Sequence, residues 1–300
     1  MVVVTSGKKY MDIDAYAGCI AYAKLLNLKG IKAKAISTAK LNESITPSLK
    51  KLIPKLDEYK PNEEDEYIII DVSNKNYFDA FVREEKIIEI IDHHLGYEEY
   101  WKNKLKEKAR IEFIGSVATI IVELYEKEDL MAQISKDLAI LLMSAILDNT
   151  LNLKAKISTQ RDIIAYKKLE KIVNDETYPE KYFKECQIEI NNDLKISIEN
   201  DTKIENINAI LPPIFAQLTI WDKDNILENK QIIYETLNNI GTKWMLNLIC
   251  LKDGKSYLLA KDIEVQDNME KLFHEKFQND IMKLDNVWLR KEIIKLGLKN

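Results

Sequence analysis

Two of the chain's three histidines are adjacent, His93 and His94, and they follow Asp92 at the end of the apolar run Ile90-Ile91. Asp71 closes a second apolar run, Tyr67-Ile-Ile-Ile70, while Asp12 and Asp14 follow the first one near the N-terminus. Asp148 ends the apolar stretch from Ala139 to Leu147. Carboxylates and imidazoles gathered in this way are the donors that divalent cations take. Two such cations clamp the attacking and leaving oxygens of a phosphoryl transfer and make hydroxide available near neutral pH. Each residue also has a plainer reading: Asp12 or Asp14 as a helix cap or first-turn acid, Asp71 as a loop carboxylate, the histidine pair as a polar turn. Their common position at the ends of expected strands and helices favours the joint, chemical reading.

The elements that must position them follow from the hydropathy pattern. Val2–Thr5 is a β-branched run; Ile13 to Leu28 carries apolar residues at helical spacing, with Gly30 as a stop. Residues 33–36 predict a second strand, and 47–56 a short helix. Tyr67–Val72 and Lys86–Asp92 are continuous apolar runs, as in strands buried on both faces of a parallel sheet. Residues 110–114 predict another strand. Ser116 is placed to cap a helix from Val117 to Tyr125, and helices are expected over 135–147 and 159–173. The fold class is α/β: a mostly parallel sheet covered by helices over residues 1–185, then a smaller α+β domain over 190–300. In open α/β sheets ligands bind beyond the carboxyl ends of the strands, where the acids and histidines fall. In the second half, helices are expected near 180–192, 230–240 and 269–277, with strands within 204–220 and over 244–251 and 257–259.

Composition narrows the classes. Apolar residues make up 46% of 300, charged residues 31%, and the net charge is −5, which excludes the overall basic field of a general nucleic-acid binder. Three scattered cysteines, Cys19, Cys186 and Cys250, fit reduced thiols of a cytoplasmic protein. No signal peptide or membrane span is expected.

Read together, Ser6-Gly-Lys-Lys-Tyr-Met-Asp12-Ile-Asp14-Ala, Ile-Ile-Asp71, Asp92-His93-His94 and Gly115-Ser116-Val-Ala-Thr119 resemble the ordered motifs of the DHH phosphoesterases. Leu147-Asp148-Asn149-Thr150 and Thr159-Gln-Arg-Asp162 resemble the next segments of the manganese-dependent, family II inorganic pyrophosphatases and their exopolyphosphatase relatives. The second half is similar to the DHHA2 domain, with Asp201-Thr-Lys203 and Arg290-Lys291 as its matching elements. The resemblance implies a metal-dependent phosphohydrolase acting on phosphoanhydrides such as pyrophosphate or short polyphosphate. It implies metal ligation by Asp12, Asp14, Asp71, His93 and Asp148, with Mn2+ as the ion, Co2+ or Mg2+ as alternatives, and one or two ions bound. Asp92 would orient the histidines, and His94 would contact phosphate and donate to the leaving group. Ser116, Lys203, Arg290 and Lys291 would bind phosphate. The implied partner is a small phosphorylated substrate rather than a membrane or nucleic acid, and a homodimer is allowed.

Two positions depart from the family pattern. Lys8 stands where the pyrophosphatases carry a metal-binding histidine, four residues before Asp12. Either the first metal site is weakened and the Lys8 ammonium contacts phosphate, or Lys8 is a surface residue and a water completes the site. Gap-free alignment puts the family's ligand aspartate on Asn149, with Asp148 one place earlier; Asp148 is favoured as the ligand because an amide binds divalent ions more weakly, leaving Asn149 beside it. Both departures count against efficient pyrophosphate hydrolysis. They keep two other functions in view: a phosphodiesterase of nucleotides or short oligonucleotides, with Tyr10 as a candidate base platform, and a weakened enzyme that binds a phosphate ligand without turnover.

Overall fold

The computed structural model describes residues 1–8, 10–52, 56 and 58–299, which form two compact units. The first comprises Met1–Leu153 and Ile157–Pro179, the second Lys154–Lys156 and Glu180–Asn300.

In the first unit the elements run β1 (Val2–Thr5), β2 (Tyr10–Met11), α1 (Ile13–Leu28), β3 (Ala33–Ala35), β4 (Lys40–Leu41), α2 (Pro47–Leu52), β5 (Glu66–Ile70), β6 (Ile87–Asp92), α3 (Glu98–Leu105), β7 (Ala109–Ile111), α4 (Val117–Lys127), α5 (Lys136–Asn149) and α6 (Gln160–Val173). The five-stranded sheet has the order β3-β1-β5-β6-β7, and every pairing in it is parallel. The apolar runs are buried on both faces, as a helix-covered parallel sheet requires. Tyr67, Ile69 and Ile90 join Trp101 of α3 in one core cluster. On β5 the alternate residue Ile70 meets α1, where Gly18 leaves no room for a side chain: a Cβ there would lie 2.6 Å from Ile70 Cγ2. Of the helix expected over 47–56, residues 47–52 form α2, and positions 53–55 lie outside the described residues.

Register delivers the site residues to one edge. Ile70 pairs with Ile91, and the Asp71 N–H donates to the Ile91 carbonyl at 2.8 Å, so Asp71 emerges beside Asp92 and His93. The chain leaves β5 with Asp71 at φ +61°, a left-handed conformation that aspartate tolerates better than branched residues do.

The second unit continues with α7 (Tyr178–Asn192), which starts at the boundary, then α8 (Leu194–Asn200), β8 (Thr202–Ile204), β9 (Ile214–Ile220), α9 (Asp224–Glu228), α10 (Lys230–Ile240), β10 (Trp244–Cys250), β11 (Lys255–Leu259), α11 (Ile263–Phe273), β12 (Phe277–Gln278), β13 (Ile281–Leu284) and α12 (Arg290–Gly297). Its mixed sheet has the order β12-β13-β11-β10-β9-β8, with β9 and β10 parallel and the other pairs antiparallel. Alternation along β9 feeds two cores. Ile214, Ala216 and Leu218 pack with Ile198 of α8 and Leu237 of α10, while Phe215 packs with Met269 of α11 and Ile293 of α12. The helix expected over 269–277 lies earlier, at Ile263–Phe273, because Asp262 caps it through Val265 N at 3.0 Å and His274 ends it in a left-handed turn.

Candidate active site

Asp71, His93 and His94 stand at the carboxyl ends of the adjacent strands β5 and β6, with one ligand atom from each lying within 4.8 Å of the others. The His93 side chain is 2% exposed and that of His94 58%. His93 Nδ1 lies 3.1 Å from the Ile114 carbonyl oxygen. A carbonyl only accepts, so Nδ1 carries the proton and the Nε2 lone pair faces Asp71 Oδ1 at 3.3 Å. An imidazole lone pair and a carboxylate oxygen at that separation repel unless a positive charge is shared between them. The donor set therefore fits a divalent cation, with the other ring nitrogen fixed by a backbone acceptor as metal-binding histidines usually are.

Asp92 organises the pair. Its Oδ1 accepts from His93 N at 2.7 Å, His94 N at 3.1 Å and His94 Nδ1 at 2.9 Å. Burial works to raise its carboxyl, but the hydrogen bond and charge of His94 prevail and hold it below the usual carboxylate range. With Nδ1 held by Asp92, the exposed His94 ring keeps Nε2 for proton exchange. The two rings meet edge to face, with centroids 4.6 Å apart.

Asp12 and Asp14 begin α1 and differ from each other. Asp12 caps the helix, accepting from Ala15 N at 3.0 Å, and burial raises its carboxyl while His94 pulls the other way. Asp14 is fully buried. Its Oδ1 accepts from Ser116 Oγ at 2.8 Å and Ala118 N at 2.9 Å, and its Oδ2 from Val117 N at 2.8 Å. Burial, then the negative charge of Asp12, push Asp14 up to about 7. This corrects the expectation for the opening of α4: that helix N-terminus does hold an anion, but the anion is the Asp14 carboxylate, and Ser116 is buried against it rather than presented to phosphate. Any metal role for Asp14 has to share oxygens that already accept three hydrogen bonds.

The remaining sequence candidates are spread more widely. Asp148, the penultimate residue of α5, is half-buried and outside the compact donor group, and Asn149 next to it donates from Nδ2 to the Ala145 carbonyl at 3.5 Å. Lys8, on the loop after β1, is exposed, and its backbone N–H donates to Tyr77 O at 2.8 Å. In the second unit Lys203 and Lys291 are exposed. Arg290 is not: its Nη1 donates to the Asp201 carbonyl at 2.6 Å and the Phe215 carbonyl at 3.1 Å, and its Nη2 to Asp201 Oδ1 at 2.6 Å. The guanidinium expected to grip phosphate thus ties α12 to β9 and the residue before β8. Two partners escape a reading by residue type: the Ile114 carbonyl on His93, and buried Asp162, which accepts from Gly115 N at 3.1 Å and Thr119 Oγ1 at 2.7 Å. A backbone carbonyl leaves no mark in a sequence; Asp162 did, as the third residue after Thr159 in a capping pattern.

Residues 2–146 match the family model of the DHH family, N-terminal domain. The manganese-dependent inorganic pyrophosphatase of Bacillus subtilis is 25% identical over 300 residues, spanning 97% of this chain and 95% of its own length. A candidate manganese-dependent inorganic pyrophosphatase of Exiguobacterium sp. is 27% identical over 312 residues, with 97% and 96% covered. Among solved structures, a candidate family II inorganic pyrophosphatase of Methanococcus jannaschii superposes with a TM-score of 0.72 over 100% of both chains at 22% identity, a likeness of fold. The sheet with its covering helices, the Asp-His-His corner and the match over residues 2–146 make this part of the chain similar to the N-terminal domain of the DHH family.

Proposed function

We propose that the chain is a divalent-metal-dependent hydrolase of phosphoanhydrides, with inorganic pyrophosphate as its first substrate and Mn2+ as its ion. The observation that carries this reading is the Nε2 lone pair of His93 aimed at Asp71 Oδ1 at 3.3 Å, its Nδ1 proton already committed to Ile114 O. The names of the relatives similar to nearly the whole chain support the substrate and the metal. Asp71 and His93 are read as ligands, with Asp12, Asp14 and Asp148 as further donors. When bound, a divalent ion neutralises charge on phosphate oxygens and acidifies the water that attacks phosphorus. His94, oriented by Asp92, gives a proton from Nε2 to the departing phosphate. Lys8 is read as a phosphate-side cation on the loop after β1. The second unit is read as a DHHA2-type domain whose Lys203 and Lys291 bind phosphate, with Arg290 holding Asp201 in place.

The test is phosphate release from pyrophosphate, tripolyphosphate and an aryl phosphate, and nucleoside monophosphate release from a dinucleotide, each with Mn2+, Co2+ and Mg2+. The expected result is fastest release from pyrophosphate with Mn2+. Silence across the panel would overturn the reading. The half-exposed ring of Tyr10, two residues before Asp12, favours a second reading as a nucleotide phosphodiesterase. A dinucleotide cleaved faster than pyrophosphate would establish it instead.

A further inference from the structure

The oxygen that holds His93 and the amide held by Asp162 belong to one peptide group. His93 Nδ1–H donates to the Ile114 carbonyl at 3.1 Å, and the N–H of the next residue, Gly115, donates to Asp162 Oδ2 at 3.1 Å. The carboxylate therefore polarises the peptide from its N–H side, which enriches the carbonyl oxygen in negative charge and strengthens its grip on the imidazole proton. We propose that Asp162 is a positioning residue for His93, acting through the Ile114–Gly115 peptide to fix the ring tautomer and raise the donor strength of Nε2. This rests on the reading of His93 as a metal ligand.

Asp162 has an ordinary task as well: with Thr159 it forms the capping box of α6, its Oδ2 accepting from Thr159 N at 2.7 Å while its own N–H donates to Thr159 Oγ1 at 3.4 Å. A capping box is complete with those contacts. The bonds to Gly115 N and to Thr119 Oγ1 in α4 go beyond it, reaching 47 and 43 residues away along the chain. The side chain is fully buried. Close packing keeps the peptide in place, since a Cβ on Gly115 would lie 2.6 Å from Thr150 Cγ2 and 2.8 Å from Asp162 Oδ2. His94 takes its carboxylate, Asp92, directly at Nδ1; His93 takes one at the distance of a peptide. Direct carboxylate–histidine–metal arrangements tune the ligand in the same sense.

The test uses 15N NMR of the histidine rings in metal-free protein and Mn2+ affinity of the wild type, Asp162→Asn and Thr119→Val. Thr119→Val removes one bond to Asp162 while leaving the Gly115 bond, so it reports a purely structural role. The expected result is a wild-type His93 with its proton on Nδ1. Asp162→Asn should shift that proton toward Nε2 and weaken Mn2+ binding by about tenfold, with Thr119→Val matching the wild type. A wild-type His93 protonated on Nε2, an unchanged Asp162→Asn, or equal losses in both variants would overturn the proposal. Should Asp162→Asn fail to fold, Zn2+ loading of the wild type decides: the Gly115 amide proton should move downfield, and an unmoved resonance would refute the coupling. If the wild type binds no metal at all, the metal reading falls, and the metal-free tautomers of wild type and Asp162→Asn still judge this one.

Discussion

The carboxyl ends of β5 and β6 and the N-terminal end of α4 both gather acids in the first unit, and they treat them oppositely. At the strand ends Asp71 meets a ring nitrogen whose lone pair points at it. At the helix, Asp14 meets two N–H groups and a hydroxyl. The first arrangement calls for a cation from outside; the second supplies positive charge from the helix itself. An aspartate in a motif thus becomes a ligand or an anchor according to the donors its surroundings provide.

The comparison is broken most severely by removing the strand-end acid. Asp71→Ala is expected to reduce pyrophosphate hydrolysis by more than the roughly 100-fold that loss of an outer hydrogen-bond partner costs, while circular dichroism shows a folded chain. Retained activity would end the distinction. Asp92→Asn removes the carboxylate that accepts from His94 Nδ1, and turnover with saturating Mn2+ should fall by about 10- to 100-fold.

The helix-end acid should register in stability before metal chemistry. In metal-free protein, burial and then the charge of Asp12 push the Asp14 carboxyl from its ordinary 3.8 up to about 7. The folded chain therefore holds more protons than the unfolded chain between those two values, so the Asp14 contribution to stability is lost as pH rises through the window. Asp14→Asn has no such titration. In urea unfolding of metal-free protein, the advantage of wild type over Asp14→Asn should shrink from pH 4 to pH 7, and a widening gap would contradict the assignment. The smallest effect is expected at exposed Lys8: Lys8→Ala should raise KM for pyrophosphate severalfold with little change in unfolding midpoint.

The strand-end half of this contrast was legible in the sequence, because each chemical residue there follows an apolar run whose burial on both faces forces a parallel sheet. Asp71 after Ile68-Ile69-Ile70 and His93 after Ile90-Ile91 needed nothing more than the carboxyl-edge rule. The helix-end half was legible only in part. Gly115-Ser116 announced an anion-binding N-terminus, but the bond to Asp14 spans 102 residues, and local pattern carries no information at that range. Arg290 escaped for the same reason: its motif reads as a phosphate-binding cation until Asp201, 89 residues earlier, is found on its guanidinium. In the second unit the start of α11 lies six residues before the expected one because Met269 and Leu272 mark its buried face late, whereas that start is fixed by the Asp262 cap. The two-residue strand β12 is too short for any alternation to appear.

The most direct measurement of the central claim is a Mn2+ binding isotherm, followed by electron paramagnetic resonance on metal-stripped wild type and His93→Ala. The account predicts saturable binding by the wild type that is lost in His93→Ala while the unfolding midpoint shows a folded protein. Equal Mn2+ affinity in the two would show that the lone pair facing Asp71 holds no ion.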